Sequence, residues 1–248
     1  MIINYTHKFT FIHVPKVAGS SITVYLSPFL GAWDIQLGAW RETVDAGLRP
    51  NFRFYWDAFR PSRAVRSALG LMRTHDPIEK LSSAQKSKYV ASFGGKPQHG
   101  TAKHIMAYDQ KAWADHFKFC FVRNPYARMA SHYRYDAAIR QRSRSPRLTF
   151  TEFLKQLVSV ADDGTVIGDM SKMYTINGRV AVDFVGRFET LTTDLHRICR
   201  EIGLDPPQHI PHAKHGVSED YKSLYSTNDR ELVEKLSLFE IDTFEYSF

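Results

Sequence analysis

Two short runs of this chain carry side chains suited to holding phosphate. In the first, Val14-Pro15-Lys16-Val17-Ala18-Gly19-Ser20-Ser21, a lysine, a glycine and paired serines lie between a strand-like run and a helix-like run. The N–H groups of such a loop, and of the helix it opens, have no intrahelical partner; with the helix dipole they form a seat for an anion. Gly19 admits close backbone approach, Ser20 and Ser21 offer hydroxyl donors, and Lys16 brings a mobile positive charge to the loop mouth. The order differs from the ATP-type loop, Gly-x-x-x-x-Gly-Lys-[Ser/Thr], because here the lysine precedes the glycine. Magnesium-dependent hydrolysis of a nucleoside triphosphate is therefore not the direct reading. Taken alone, the run also fits an ordinary strand–helix turn with a surface lysine.

The second run, Val122-Arg123-Asn124-Pro125-Tyr126-Ala127-Arg128-Met129-Ala130-Ser131-His132-Tyr133, sets a guanidinium at the carboxyl end of a strand. That edge is where open α/β sheets bind ligands. Arg123 can fork onto a phosphate. Asn124 suits a helix cap and Pro125 the first helical position. Ser131 lies seven residues beyond Asn124, close to two helical turns, and can reach the same ligand. Arg128 and His132 lie near it on the helix; a surface or structural ion pair is the plainer role for Arg128. An anion seat at one strand end and a phosphate clamp at another imply a ligand with two separated phosphates. Adenosine carrying 3′ and 5′ phosphates meets that description.

These runs need strands and helices to present them. Residues 8–14 and 117–122 have strand composition, and 180–185 form a third candidate. Ser20 or Ser21 can cap a helix through Ile22, Val24, Tyr25 and Leu26, and a second helix runs from Asn124 to about Arg140. Leu191, Leu195, Ile198 and Ile202 make one apolar stripe that stops at Gly203. Thr149 with Glu152 opens a helix near 150–160, and Asn228 with Glu231 caps one near 229–239. Strands alternating with helices predict an α/β fold with a central parallel sheet covered on both faces. Residues 40–98 have weaker periodicity and read as a helical insertion or lid within one domain spanning 1–248; residues 140–147 read as an exposed basic loop.

Composition bounds the rest. The formal charge of +7 fits an anionic small ligand, an acidic polymer or nucleic acid. Two cysteines, Cys120 and Cys199, are too few for a disulfide framework and read as small buried apolar side chains. No basic segment followed by an apolar stretch opens the chain and no run is long and apolar enough to span a membrane, so the expectation is a cytoplasmic protein.

The segment Pro15-Lys16-Val17-Ala18-Gly19-Ser20-Ser21 resembles the 5′-phosphosulfate loop of the Golgi-type carbohydrate sulfotransferases and their bacterial relatives. Phe121 to Tyr133 looks like their 3′-phosphate segment, and the resemblance continues at Asp183-Phe184-Val185-Gly186-Arg187-Phe188-Glu189-Thr190-Leu191 and over Phe239–Phe248. It implies a P-loop-NTPase-like fold, no metal, and 3′-phosphoadenosine 5′-phosphosulfate (PAPS) as donor, with adenosine 3′,5′-bisphosphate as product. By position it puts Lys16, Val17, Ala18, Gly19, Ser20 and Ser21 at the phosphosulfate and Arg123 and Ser131 at the 3′ phosphate. Val17-Ala18 departs from the Thr-Gly that relatives often carry; Ala18 keeps its N–H but loses backbone freedom.

The chemistry so implied is in-line attack of a hydroxyl, favoured as that of a glycan, on sulfur. Lys16 would stabilise charge on the bridging oxygen and a histidine would take the proton. His99, followed by Gly100-Thr101-Ala102, is the candidate base, with His104 its local competitor and His13 a candidate to orient the loop. Two other readings stand beside this one. A P-loop-like phosphotransferase or kinase would need an acidic metal ligand, for which Asp183 is the candidate. A non-catalytic binder of polyanions or nucleotides would use the arginines at 134–147, although no nucleic-acid motif accompanies them.

Overall fold

The computed structural model describes residues 1–59, 76–162, 169–206 and 221–248. Its centre is β4 (Phe117–Val122), whose continuous apolar run leaves its last four residues buried, as a strand covered on both faces requires. In chain order the strands are β1 (Ile2–Asn4), β2 (Phe9–Ile12), β3 (Ile35–Gln36), β4, β5 (Thr175–Ile176), β6 (Arg179–Val180) and β7 (Phe184–Arg187). The main sheet has the order β3-β1-β2-β4-β7. β2, β4 and β7 pair in parallel, while β1 runs against both β2 and β3. The result is a mixed α/β fold with a mostly parallel central sheet flanked by helices, in which β1 alone points the other way.

The helices are α1 (Gly19–Leu26), α2 (Trp40–Asp45), α3 (Phe52–Ala58), α4 (Pro77–Lys88), α5 (Val90–Phe93), α6 (Ala102–Tyr108), α7 (Gln110–Asp115), α8 (Pro125–Arg142), α9 (Phe150–Asp162), α10 (Leu191–Glu201) and α11 (Thr227–Phe244). The main core gathers β1, β2, β4, α1 and α10 around Phe9, Phe11, Phe119 and Phe121. A second cluster, with Met129, Tyr133, Leu154 and Val233, holds α8, α9 and α11 together. The described part of 40–98 is largely helical and has its own small cluster of Trp40, Phe54, Ala58 and Leu81. There Trp40 Nε1 donates to Gln85 Oε1 at 2.8 Å, and buried Asp57 accepts from Arg53 at 2.9 Å and is met by Lys88 and Tyr89. Residues 60–75 of the expected insertion lie outside the described residues. No helix among the described residues is long and apolar enough to cross a membrane.

Several expected boundaries move. Neither Ser20 nor Ser21 caps α1; both lie in its first turn, and Ala18 occupies the cap position without a side-chain bond. The 180–185 strand divides, because Asn177 and Gly178, at φ of 52° and 74°, turn Arg179–Val180 back onto Thr175–Ile176. The sheet strand then starts at Phe184. The last helix is capped two residues earlier than expected, by Ser226 with Asp229. Helix α8 continues through Arg142, so the basic loop begins at its end, with Arg140 held at 2.6 Å by Asp136.

Candidate functional site

The first candidate anion seat follows β2. Ile12 pairs with Cys120 of the parallel neighbour β4, so Val14 and Val122, two residues further along each chain, end at one edge of the sheet. Val17 is fully buried and pins the loop to the core. On either side of it Lys16 and Ala18 are left-handed, at φ of 67° and 63°. For a residue with a Cβ this costs on the order of 1 kcal/mol each, and left-handed residues in a loop turn N–H groups toward a common concavity. Ala18, at the cap position, makes no side-chain bond to the first turn of α1. Ser20 is half-buried and Ser21 buried.

The loop is built together with two histidines. A Cβ at position 19 would lie 1.9 Å from His13 Nε2, so the His13 imidazole rests against the bare Cα of Gly19. The ring centroids of His13 and His99 are 4.9 Å apart, edge to face. His99 Nδ1 is 2.9 Å from the carbonyl oxygen of His13. A carbonyl can only accept, so Nδ1 carries the proton and Nε2 keeps its lone pair. Burial draws the His99 pKa down to about 4, against the smaller opposing effect of that hydrogen bond. At neutral pH the ring is therefore neutral and in the tautomer a general base needs. His104 sits differently: its Nδ1 accepts from Thr101 N at 3.4 Å while its own N–H is capped by Thr101 Oγ1 at 3.2 Å, which closes the N-terminal box of α6.

The second seat follows β4. Asn124 caps α8 by accepting from Tyr126 N at 3.0 Å, and Pro125 is the first helical residue. Arg123 is half-buried, with its guanidinium carbon 4.1 Å above the ring of Phe188. Its Nε is buried with no acceptor, and it forms no hydrogen bond or ion pair with any described residue. Burial lowers its pKa, Glu189 acts in the opposite sense, and Arg134 and Arg128 add like charge; an arginine stays protonated regardless. Arg128 is fully buried and pairs with Glu240, donating through Nη1 at 2.7 Å and through Nη2 to Ser237 Oγ at 3.3 Å. The structural role suggested by the sequence is the one it occupies.

The first loop also touches α8. Lys16 Nζ lies 4.4 Å from the centroid of Tyr135, one helical turn beyond half-buried Ser131. His132 is brought to a pKa of about 4 by burial and then by the charge of Lys16. Lys16, Ser131 and Arg123 thus belong to one edge of the sheet. Asp183 does not: it precedes β7 at the opposite edge, where it accepts from Lys118 N at 2.7 Å and Lys118 Nζ at 2.8 Å. Sequence reasoning passed over Tyr135 and Phe188. Phe188 stood inside a recognised segment, Asp183–Leu191, but only the parallel pairing of β7 with β4 places its ring beneath Arg123.

A family model described as "Sulfotransferase family" matches residues 1–247. An uncharacterized protein of Archaeoglobus fulgidus is 31% identical over 96 residues, covering 38% of this chain and 74% of its own length. No solved structure matches.

Proposed function

This chain belongs to the sulfotransferase family, and we propose that it moves the sulfuryl group of PAPS onto a hydroxyl, with a carbohydrate as the acceptor class. The observation that carries the reading is Arg123: a partly desolvated guanidinium with no carboxylate hydrogen-bonded to it among the described residues, at the strand end next to an amide-lined loop. One nucleotide with phosphates at both ends would satisfy both seats of a P-loop-like sheet edge.

In this reading the amides of residues 17–21 and the Ser20 and Ser21 hydroxyls hold the 5′ phosphosulfate, and Arg123 with Ser131 holds the 3′ phosphate. His99 Nε2 takes the proton of the acceptor hydroxyl as its oxygen bonds to sulfur. The bond from sulfur to the bridging oxygen breaks, and Lys16 stabilises the charge left on that oxygen. His13 fixes the tautomer of His99 through its carbonyl, so the base and the donor loop share a support. His104, committed to its helix cap, takes no part.

The test is a pair of measurements. Adenosine 3′,5′-bisphosphate is expected to bind more tightly than ADP or ATP, with no change on adding magnesium. His99→Ala is expected to lower sulfuryl transfer from PAPS by roughly 10²–10⁴-fold while nucleotide binding persists. Preference for ATP with magnesium would overturn the donor assignment, and full activity of His99→Ala would overturn the base.

A further inference from the structure

The Arg123 seat raises a question that the family reading does not answer. A guanidinium taken half out of water needs an electrostatic partner, and the usual partner is a carboxylate. Glu189 stands close enough to raise the pKa of Arg123, yet both its oxygens are engaged elsewhere. Oε1 accepts from Asn124 N at 2.8 Å and Oε2 from Tyr246 OH at 3.2 Å. The face of the guanidinium instead rests on Phe188, which with Glu189 and Thr190 forms the single 3-10 turn closing β7.

An aromatic ring attracts a cation through its quadrupole without using any N–H donor and without net negative charge. It therefore offsets part of the burial cost and fixes the plane of the fork without consuming any of its N–H donors, so the terminal nitrogens stay uncommitted toward an incoming anion. A carboxylate in the same place would occupy the donors and repel a phosphate. We propose that Phe188 is a positioning residue for the 3′ phosphate, holding Arg123 flat and charged with no carboxylate hydrogen-bonded to it among the described residues, while Asn124 and Tyr246 orient Glu189. The inference rests on the reading of Arg123 as the 3′-phosphate ligand.

The experiment compares affinities for adenosine 3′,5′-bisphosphate and adenosine 5′-phosphate, whose ratio isolates the 3′ phosphate. Phe188→Leu keeps apolar bulk and removes the ring; Phe188→Trp keeps a ring with the stronger quadrupole. The ratio is expected to fall about tenfold in Phe188→Leu, to hold or rise in Phe188→Trp, and to be lost in Arg123→Met. The 5′-phosphate alone is expected to bind all variants alike. Three results would overturn the role of Phe188: an unchanged ratio in Phe188→Leu, equal loss of both nucleotides there, or a lowered ratio in a folded Phe188→Trp. The last needs only a variant that preserves the ring. A wild-type ratio near one would instead remove the 3′-phosphate reading itself, and this inference with it.

Discussion

Arg123 and Arg128 leave one strand–helix junction five residues apart, and the protein treats their charges in opposite ways. Arg128 is sealed between α8 and α11, where Glu240 takes both its terminal nitrogens and Tyr174 OH donates to the same carboxylate at 3.2 Å. Its pKa is pulled down by burial but raised overall by Glu240. Arg123 has a ring beneath it and no carboxylate hydrogen-bonded to its terminal nitrogens among the described residues, although the Nε of each arginine is buried without an acceptor. A buried guanidinium answered by a carboxylate is finished as a structural element. One answered by an aromatic face is stable enough to persist and still open to a ligand.

The largest expected effect tests the sealed side of this contrast. Arg128→Met leaves Glu240 buried and uncompensated, and is expected to cost about 3–5 kcal/mol in urea denaturation. Its folded fraction is expected to keep the nucleotide preference of the wild type. A loss below about 1 kcal/mol would mean that Tyr174 suffices for Glu240, and the contrast would fail.

A pH scan sharpens the contrast from another direction, since neither guanidinium titrates in the working range. His99 and His132 do titrate, with folded pKa values lowered to about 4 from an unfolded value near 6.5. Between those values the unfolded chain binds more protons, so stability falls as pH drops from about 6.5 toward 4. The slope is up to about 1.4 kcal/mol per pH unit for each imidazole, and stability is level above about pH 7 as far as these two groups contribute. Thermal melts of the wild type and of His132→Asn read this directly. An unchanged acid slope in the variant would show that His132 is not held neutral by burial.

The smallest effect concerns the backbone seat. Ala18 is left-handed at φ 63°, so Ala18→Gly is expected to stabilise the fold by about 0.5–1 kcal/mol, seen as a higher melting temperature. A destabilised variant would show that the extra freedom glycine brings to the unfolded chain outweighs the relieved strain.

Legibility in the sequence followed the range of the interactions. The β4 strand, the Asn124 cap and the Thr149–Glu152 box were readable because each is set by near neighbours. The last helix start was misjudged because two capping frames overlap, and Ser226 with Asp229 satisfies both bonds of its box. The strand near 180 was misplaced because a turn at Asn177-Gly178 draws Val180 into a hairpin. The end of α8 near Arg140 was readable as well, its last turn supported by the Arg140–Asp136 pair. The departure at Val17-Ala18 was visible, although the left-handed geometry it must tolerate was not. Phe188 under Arg123 and Tyr135 under Lys16 join residues far apart in the chain, and no spacing rule could announce either.

The bare Cα of Gly19 gives this edge of the sheet a particular kind of fragility. Because the His13 ring fills the space that any side chain there would claim, a substitution at that position would push that ring aside and disturb the residue whose backbone carbonyl holds His99 Nδ1. In the proposed function, one substitution at this position would damage both the grip on the donor and the readiness of His99 to accept a proton.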